Sequence, residues 1–407
     1  MAPLDPVRRA RMEVTFRAAF GEPHGVRWVR APGRVNLIGE HIDYCGLPVL
    51  PMALQGDVAV LLRPRDDRRV RLVSLAAGFG PREFELASTI VPFDQGDWGN
   101  YAKAAAQALV QEFQLERGMD AVVDSTVPPA AGLSSSAALV VASTLALLEC
   151  AEREMPSALS LAKLCAEAEH YVGTRGGGMD QAASLCGQSG HALRIDFEPL
   201  RVEPIAVPPD WCFVVAHSLV LADKSGSARA TYNQRRAQCE EALRRVSALP
   251  ELGPTPRTWR ELLARAPVDQ LVELAEEVLD NLLLARFRHV VGEARRVDLA
   301  CKALRSASAT TFGRLMDASH ESLRSDYEVS HPALDELVAV ARAAGARGAR
   351  LTGAGLGGCI VALTDVAGAE PLVAALRERF HARQASLAGL DEPILVAEAG
   401  AGAGLHA

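Results

Sequence analysis

Apolar and polar positions follow two rhythms along this chain. Asp5-Pro6 precedes a run with helical spacing from Val7 to Phe20 that stops at Gly21, which reads as a capped helix with its stop signal. From Val26 to Leu75 the spacing changes, and β-branched runs such as Asp57 to Leu62 and Val70 to Val73 predict strands divided by turns. Helical spacing returns over Asn100 to Glu116, Ser134 to Cys150 and Ser157 to Tyr171, with a strand at Val122 to Val127 between them. A short strand at Phe213 to Ala216 opens the second half. Helices then dominate, over Ser227 to Ser247, Val268 to Leu284, Ala294 to Ala307, Thr311 to Arg324 and Pro332 to Ala344. Cys359 to Leu363 and Ile394 to Ala397 are strand-like around a helix from Glu370 to Leu387, and Glu398 to Ala407 is a glycine–alanine tail with little to pack. Interleaved strands and helices followed by a helix-rich half ending in β predict an α+β fold in two lobes, residues 1–200 and 201–407.

Composition narrows the function classes. Of 407 residues, 49% are apolar and 23% charged, a globular balance that excludes a largely disordered chain. At about 150 residues per domain, two or three folding units are expected. No apolar stretch approaches the roughly 18 residues of a membrane span, and the first residues show no signal-peptide core, so a cytoplasmic protein is expected. The 43 basic and 50 acidic residues leave a net charge of −7, which argues against a nucleic-acid partner. Only Lys103, Lys163, Lys224 and Lys302 are lysines, so an anionic ligand must be met by arginine, backbone N–H groups or metal. Eight cysteines are scattered without a C-x-x-C pair, as in a protein with reduced, buried thiols.

Three segments carry chemistry. In Pro128 to Ala138 a strand ends, a Pro/Gly turn follows, and Ser134-Ser135-Ser136 open an apolar helix. The first N–H groups of a helix lack intrahelical partners and lie at the positive end of its dipole, so such a turn can hold phosphate without lysine. Three serines exceed what a simple cap needs. A second segment, Ala31 to Tyr44, places Glu40, His41 and Asp43 beside an apolar strand, a set suited to sugar hydroxyls that both donate and accept. The third, Gly176-Gly177-Gly178-Met179-Asp180, offers close backbone approach and a carboxylate that can take a hydroxyl proton. Gly353, Gly355 and Gly358 match a dinucleotide G-x-G-x-x-G spacing, but a strand rather than a helix follows them, which argues against that reading.

Together these segments resemble the galactokinase branch of the GHMP small-molecule kinases. Gly33 to Tyr44 is similar to the pattern G-R-x-N-[LIV]-I-G-E-H-x-D-Y, Pro128 to Ala137 to the phosphate loop P-x-x-x-G-L-S-S-S-A, and Leu351 to Cys359 to the family's glycine-rich third motif. The resemblance implies a ribosomal S5-like N-terminal lobe, a ferredoxin-like C-terminal lobe, and ATP and sugar meeting between them. It implies transfer of phosphate from ATP to the anomeric hydroxyl of D-galactose. By motif position Asp180 and Arg34 would be catalytic. Arg34, Glu40, His41, Asp43, Gly177, Asp180 and Tyr232 would bind the sugar. Ala130, Ala131, Gly132, Leu133, Ser134, Ser135 and Ser136 would hold nucleotide phosphates, Trp98 the adenine, and Ser136 with Glu169 Mg²⁺. Asp180 could act as general base or as electrostatic orienter. The glycines before it resemble N-acetylgalactosamine kinases, so N-acetylgalactosamine and L-arabinose stand as alternative substrates. A non-catalytic galactose sensor is disfavoured by the complete Ser134 to Ala137 segment. Small molecules are the only partners expected, with a monomer as the working unit and a dimer as its alternative.

Overall fold

The computed structural model describes residues 5–173, 175–221, 227–384, 390 and 392–406. In chain order the strands are β1 (Arg27–Ile38), β2 (Leu50–Pro64), β3 (Arg69–Ser74), β4 (Arg82–Glu85), β5 (Met119–Ser125), β6 (His191–Phe197), β7 (Leu200–Ala206), β8 (Trp211–His217), β9 (Gly348–Thr352), β10 (Cys359–Asp365), β11 (Ile394–Ala397) and β12 (Gly404–His406). The helices are α1 (Pro6–Phe20), α2 (Gly99–Phe113), α3 (Ser135–Cys150), α4 (Ala158–Ala168), α5 (Met179–Cys186), α6 (Ser227–Val246), α7 (Trp259–Leu263), α8 (Val268–Val278), α9 (Asn281–Arg305), α10 (Ala309–Ser325), α11 (Pro332–Ala343) and α12 (Val366–Arg379). The fold is α+β in two lobes. The first is built on a sheet in the order β12-β1-β2-β5-β3-β4, the second on an antiparallel sheet in the order β11-β8-β10-β9.

The N-terminal sheet is covered on both faces, and strand alternation assigns each side chain its side. Val58, Val60 and Leu62 of β2 join the main core beneath α2, α3 and α5, whereas Ala59 and Leu61 face α1 with Trp28 and Val122. Helix α1 contributes Met12 and Phe16 to that second cluster, and full burial of each side chain stabilises by about 1.5–3 kcal/mol. Its capping follows the sequence: Asp5 accepts the N–H groups of Val7 and Arg8, and Gly21 ends it at φ 84°.

Three expectations need correction. The helices expected over Val268 to Leu284 and Ala294 to Ala307 are redistributed: α8 ends at Val278, Asp280 caps a new start by accepting the Leu283 N–H at 2.9 Å, and α9 runs unbroken to Arg305. The stretch 285–293, left between the two expected helices, lies inside α9, where Arg286, His289 and Glu293 are all buried. Helix α12 starts before the expected Glu370, capped by Asp365 on the Gly368 N–H, and ends at Arg379; the expected end at Leu387 lies outside the described residues. The tail does pack. Backbone bonds from Gly400 to Ala53, Gly402 to Gly187 and Ala403 to Ser184 lead it back, and β12 pairs with β1 across Trp28, Val29 and Arg30.

Deleting residues 399–407 removes those bonds and opens the β1 edge. At about 1 kcal/mol per hydrogen bond, the truncated chain should lose on the order of 3 kcal/mol in urea unfolding; an unchanged midpoint would show the tail to be dispensable.

Candidate functional site

The site starts on β1. Register shifts between Pro32 and Arg34 and between Asn36 and Ile38 interrupt its pairing with β2, and such bulges re-aim side chains. A Cβ on Gly33 would lie 2.6 Å from the Leu133 carbonyl oxygen, so only glycine lets β1 approach the turn before α3 this closely. The Arg34 N–H then donates to that same carbonyl at 3.1 Å. The Arg34 guanidinium, 3% exposed, reaches Asp180 Oδ1 through Nη2 at 2.7 Å and Nε at 2.8 Å. Its Nη1 donates to the Gly132 carbonyl at 2.6 Å. Asp180 sits in the first turn of α5, which follows Gly178 at φ 96°, where free N–H groups and the helix dipole favour a carboxylate.

The turn after β1 supplies the opposite wall. Asp43 Oδ2 accepts the Gly177 N–H at 3.1 Å. Burial raises the Asp43 pKa, as does the negative charge of Asp180, against the pull of backbone N–H groups and Arg34. His41 adopts φ 62°, a left-handed conformation uncommon for a non-glycine residue. Its Nε2 donates to the Ala354 carbonyl at 3.1 Å, which in a neutral ring leaves Nδ1 to accept from the Tyr44 hydroxyl at 3.1 Å. Tyr44 in turn meets the Tyr327 hydroxyl at 2.6 Å, and Tyr327 lies 3.1 Å from Cys239 Sγ. The Tyr232 ring of α6 packs on His41 at 5.5 Å and Tyr44 at 5.2 Å between centroids. Glu40 is buried, and burial raises its pKa against the nearby charges of Arg350 and Arg34.

A cleft collects Arg34, Glu40, His41, Asp43, Glu169, Asp180 and Tyr232 on its walls. Gly177 lies behind Asp43 instead of on that surface. Trp98 is buried and does not line that cleft; its indole N–H donates to the Gly80 carbonyl at 3.0 Å, and Phe79 meets its ring edge-on. The turn from Ala130 to Ser136 is strained: Ala130, Gly132 and Ser134 take φ 53°, 75° and 61°. No side chain caps α3, and the Ser134 hydroxyl is buried without a partner among the described residues. An uncapped helix start and an orphaned buried hydroxyl together suit an anion. The turn between β9 and β10 presses on this loop, since a Cβ on Gly353 would lie 2.7 Å from the Gly132 carbonyl oxygen. That contact accounts for Gly353, while Cβ atoms on Gly355 and Gly358 would crowd the Val329 and Ala131 carbonyl oxygens at 2.2 and 3.0 Å, so close packing explains the spacing.

Known proteins match this arrangement along its whole length. The model of the galactokinase galactose-binding signature matches residues 14–64, that of the GHMP kinases N terminal domain residues 100–188, and that of the GHMP kinases C terminal residues 300–382. Galactokinase from Chloroflexus aggregans is 42% identical over 393 residues, 95% of each chain. The chain belongs to the galactokinase family. Galactokinase from Bos taurus is 37% identical over 94% of this chain and 95% of its own. The crystal structure of Lactococcus lactis galactokinase complexed with galactose superposes with a TM-score of 0.84 at 30% identity, covering 98% of this chain and 99% of that one. The galactokinase signature spans β1 and the Glu40–Tyr44 turn, the same segments that the geometry brings to the cleft.

Sequence reasoning missed a buried polar layer beneath that turn. Glu293 Oε1 accepts the N–H groups of Gly39 and Glu40 and the Ser319 hydroxyl, and Arg350 Nη2 lies 3.1 Å from Glu40 Oε2. Burial opposes ionisation of Glu293, but Arg296, His289, Arg350 and Ser319 outweigh it and hold the carboxyl at about 2. His289, lowered to about 4 mainly by burial, is neutral and donates Nε2–H to the Glu40 carbonyl. The signal was present: Arg286, His289 and Glu293 recur at inward helical spacing among apolar neighbours.

Two glycines of the Gly176 to Asp180 segment differ in kind. A Cβ on Gly177 would fall 2.2 Å from the Asp43 carbonyl carbon, whereas one on Gly176 would meet nothing within 4 Å. Gly177→Ala should therefore cost about 1–3 kcal/mol by overpacking and Gly176→Ala less than about 0.5 kcal/mol in chemical denaturation; equal costs would refute this contrast.

Proposed function

We propose that the protein transfers the γ-phosphoryl group of ATP to the anomeric 1-OH of D-galactose, giving α-D-galactose 1-phosphate and ADP. The observation that carries this reading is the Arg34–Asp180 ion pair at 2.7 Å, set in the same cleft as Glu40, His41, Asp43 and Tyr232. Glu40, Asp43 and His41 would bind sugar hydroxyls, and Tyr232 would close over the ring. Asp180 would accept the 1-OH proton as that oxygen attacks phosphorus, while Arg34 steadies the charge of the transferring group. Phosphoryl transfer asks mainly for positioning and charge stabilisation, and a guanidinium bonded to both Asp180 and the Gly132 carbonyl supplies both.

Ala130 to Ser136 would hold the nucleotide phosphates, with Trp98 near the adenine. The uncapped start of α3 and the unpartnered Ser134 hydroxyl fit such a ligand. Ser136 at that helix start and Glu169 on the cleft wall are the residues that would hold Mg²⁺; few protein ligands suffice, because the ion keeps waters and phosphate oxygens. Bound there, it would offset phosphate charge. We take residues 1–200 and 201–407 as the two working lobes, with the tail returning to the first. We take a monomer as the working unit, with a dimer as its alternative. Eight free cysteines support a reducing, cytoplasmic setting.

Galactose is favoured over 2-substituted sugars because the glycine requirement at Gly177 arises from the Asp43 backbone, so it is no evidence of room for a substituent. In an ADP-release assay, kcat/KM should rank galactose above N-acetylgalactosamine and L-arabinose; a preference for either would overturn the choice. Asp180→Asn should lower kcat by more than about 100-fold, and near-normal turnover would remove Asp180 from the chemistry. Glu40 and Asp43 must be ionised to accept sugar hydroxyls, and both have raised pKa values. Acidification should therefore erode kcat/KM for galactose at a pH above the ordinary carboxylate range, as each is protonated on the way down. A profile flat to that range would count against their role.

A further inference from the structure

The Gly39 to Asp43 turn on the cleft wall belongs to the first lobe, yet groups that fix it belong to the second. Arg350 of β9 is wholly buried and spends its donors on the first lobe: Nη1 bonds the Asn36 carbonyl at 2.8 Å and Nη2 the Glu40 carboxylate at 3.1 Å. Its Nε meets Ser319 at 3.2 Å, and Ser319 donates to Glu293 at 2.7 Å. Glu293 returns to the same turn through the N–H groups of Gly39 and Glu40, at 2.9 and 3.3 Å. Glycine is required at 39, where φ is 103° and a Cβ would lie 2.9 Å from Val297 of α9. Neither Arg350 nor Glu293 lines the cleft. Two opposite charges in a dry layer are costly unless they satisfy each other's neighbours, and both here satisfy one short segment.

We propose that Arg350 and Glu293 are positioning residues for sugar recognition, Arg350 aiming the Glu40 carboxylate and Glu293 fixing the backbone that carries it. The inference rests on the reading that Glu40 binds the sugar. Among the described residues their first-lobe partners are Asn36, Gly39 and Glu40, and their other partners, Ser319 and Arg296, flank them in the second lobe, so loss of either weakens galactose binding more than nucleotide binding. A defect confined to the KM of one substrate marks lost ground-state binding, and a general packing defect would not respect that division.

The experiment is a double-mutant cycle on the full chain with KM measured separately for galactose and ATP. Loss of one charged hydrogen bond corresponds to about 10-fold in affinity. Arg350→Met should raise the KM for galactose by about that factor and leave the KM for ATP within about twofold. Arg350→Lys should recover part of the loss, because the charge returns without the fork. Glu293→Gln should also raise the galactose KM selectively. In a Glu40→Gln background, Arg350→Met should add little, the signature of two residues acting through one contact. Additive effects, or equal rises in both KM values, overturn the proposal. If Arg350→Met does not fold, Arg350→Lys takes its place in the cycle with the same criteria. If Glu40→Gln leaves the galactose KM unchanged, the sugar-binding role of Glu40 falls first; if Glu40→Gln raises it while the Arg350 and Glu293 variants do not, only the positioning role falls.

Discussion

The Arg34 guanidinium holds three segments distant in sequence to one geometry. It ties the end of β1 to Asp180 on α5 and to the Gly132 carbonyl in the turn before α3. An ammonium is a single point with no fixed fork and would hold this arrangement poorly; a guanidinium sends planar donors in set directions. Removing either charge of a buried pair leaves the other uncompensated, at about 3–5 kcal/mol. The glycine at 33 and the register shift beside it follow from the same constraint, because β1 must come within hydrogen-bonding distance of Leu133 before Arg34 can reach its partners.

The shortage of lysine acquires a local meaning from that geometry. Charge at the cleft depends on a few oriented groups and not on the net −7 of the chain. Backbone N–H groups at the start of α3, one arginine and the dipole of α5 act at short range in a partly dry site, where Coulomb terms exceed those in water. Asp43 and Glu40 feel the opposite side of that environment: burial penalises their charge, and only Arg34, Arg350 and donated N–H groups offset it.

Much of this was legible in the sequence because the cleft residues come from contiguous runs. Gly33 to Tyr44, Pro128 to Ala138 and Gly176 to Asp180 each carry their own turn chemistry, so local signals sufficed to find them. The capped α1 was equally local. What escaped depended on contacts between distant segments. Glu293 and Arg350 are separated from Glu40 by 253 and 310 positions, and no local rule links them. Apolar periodicity leaves 285–293 unassigned, because this helix also buries polar side chains, of which Glu293 and His289 bond the backbone of the other lobe. The tail was misjudged for a similar reason: glycine and alanine offer little side chain, but their backbone groups complete the β1 edge and the bonds at Ala53, Gly187 and Ser184.

The lobes meet through contacts that leave little slack. At Gly132 and Gly353 two backbones approach so closely that a Cβ on either would lie within 3 Å of the other segment's carbonyl oxygen. Thr352 bonds both the N–H and the carbonyl of Asn36, and His41 reaches Ala354. The turn before α3, the Glu40–Tyr44 turn and the Arg34–Asp180 pair are therefore held by one continuous packed layer. Misplacement of reacting atoms by about 1 Å can cost on the order of 100-fold in rate. A kinase of this form gains from fixing the walls of its cleft against each other before any ligand arrives, and the small residues of the glycine-rich turn are what allow the two segments to come that close.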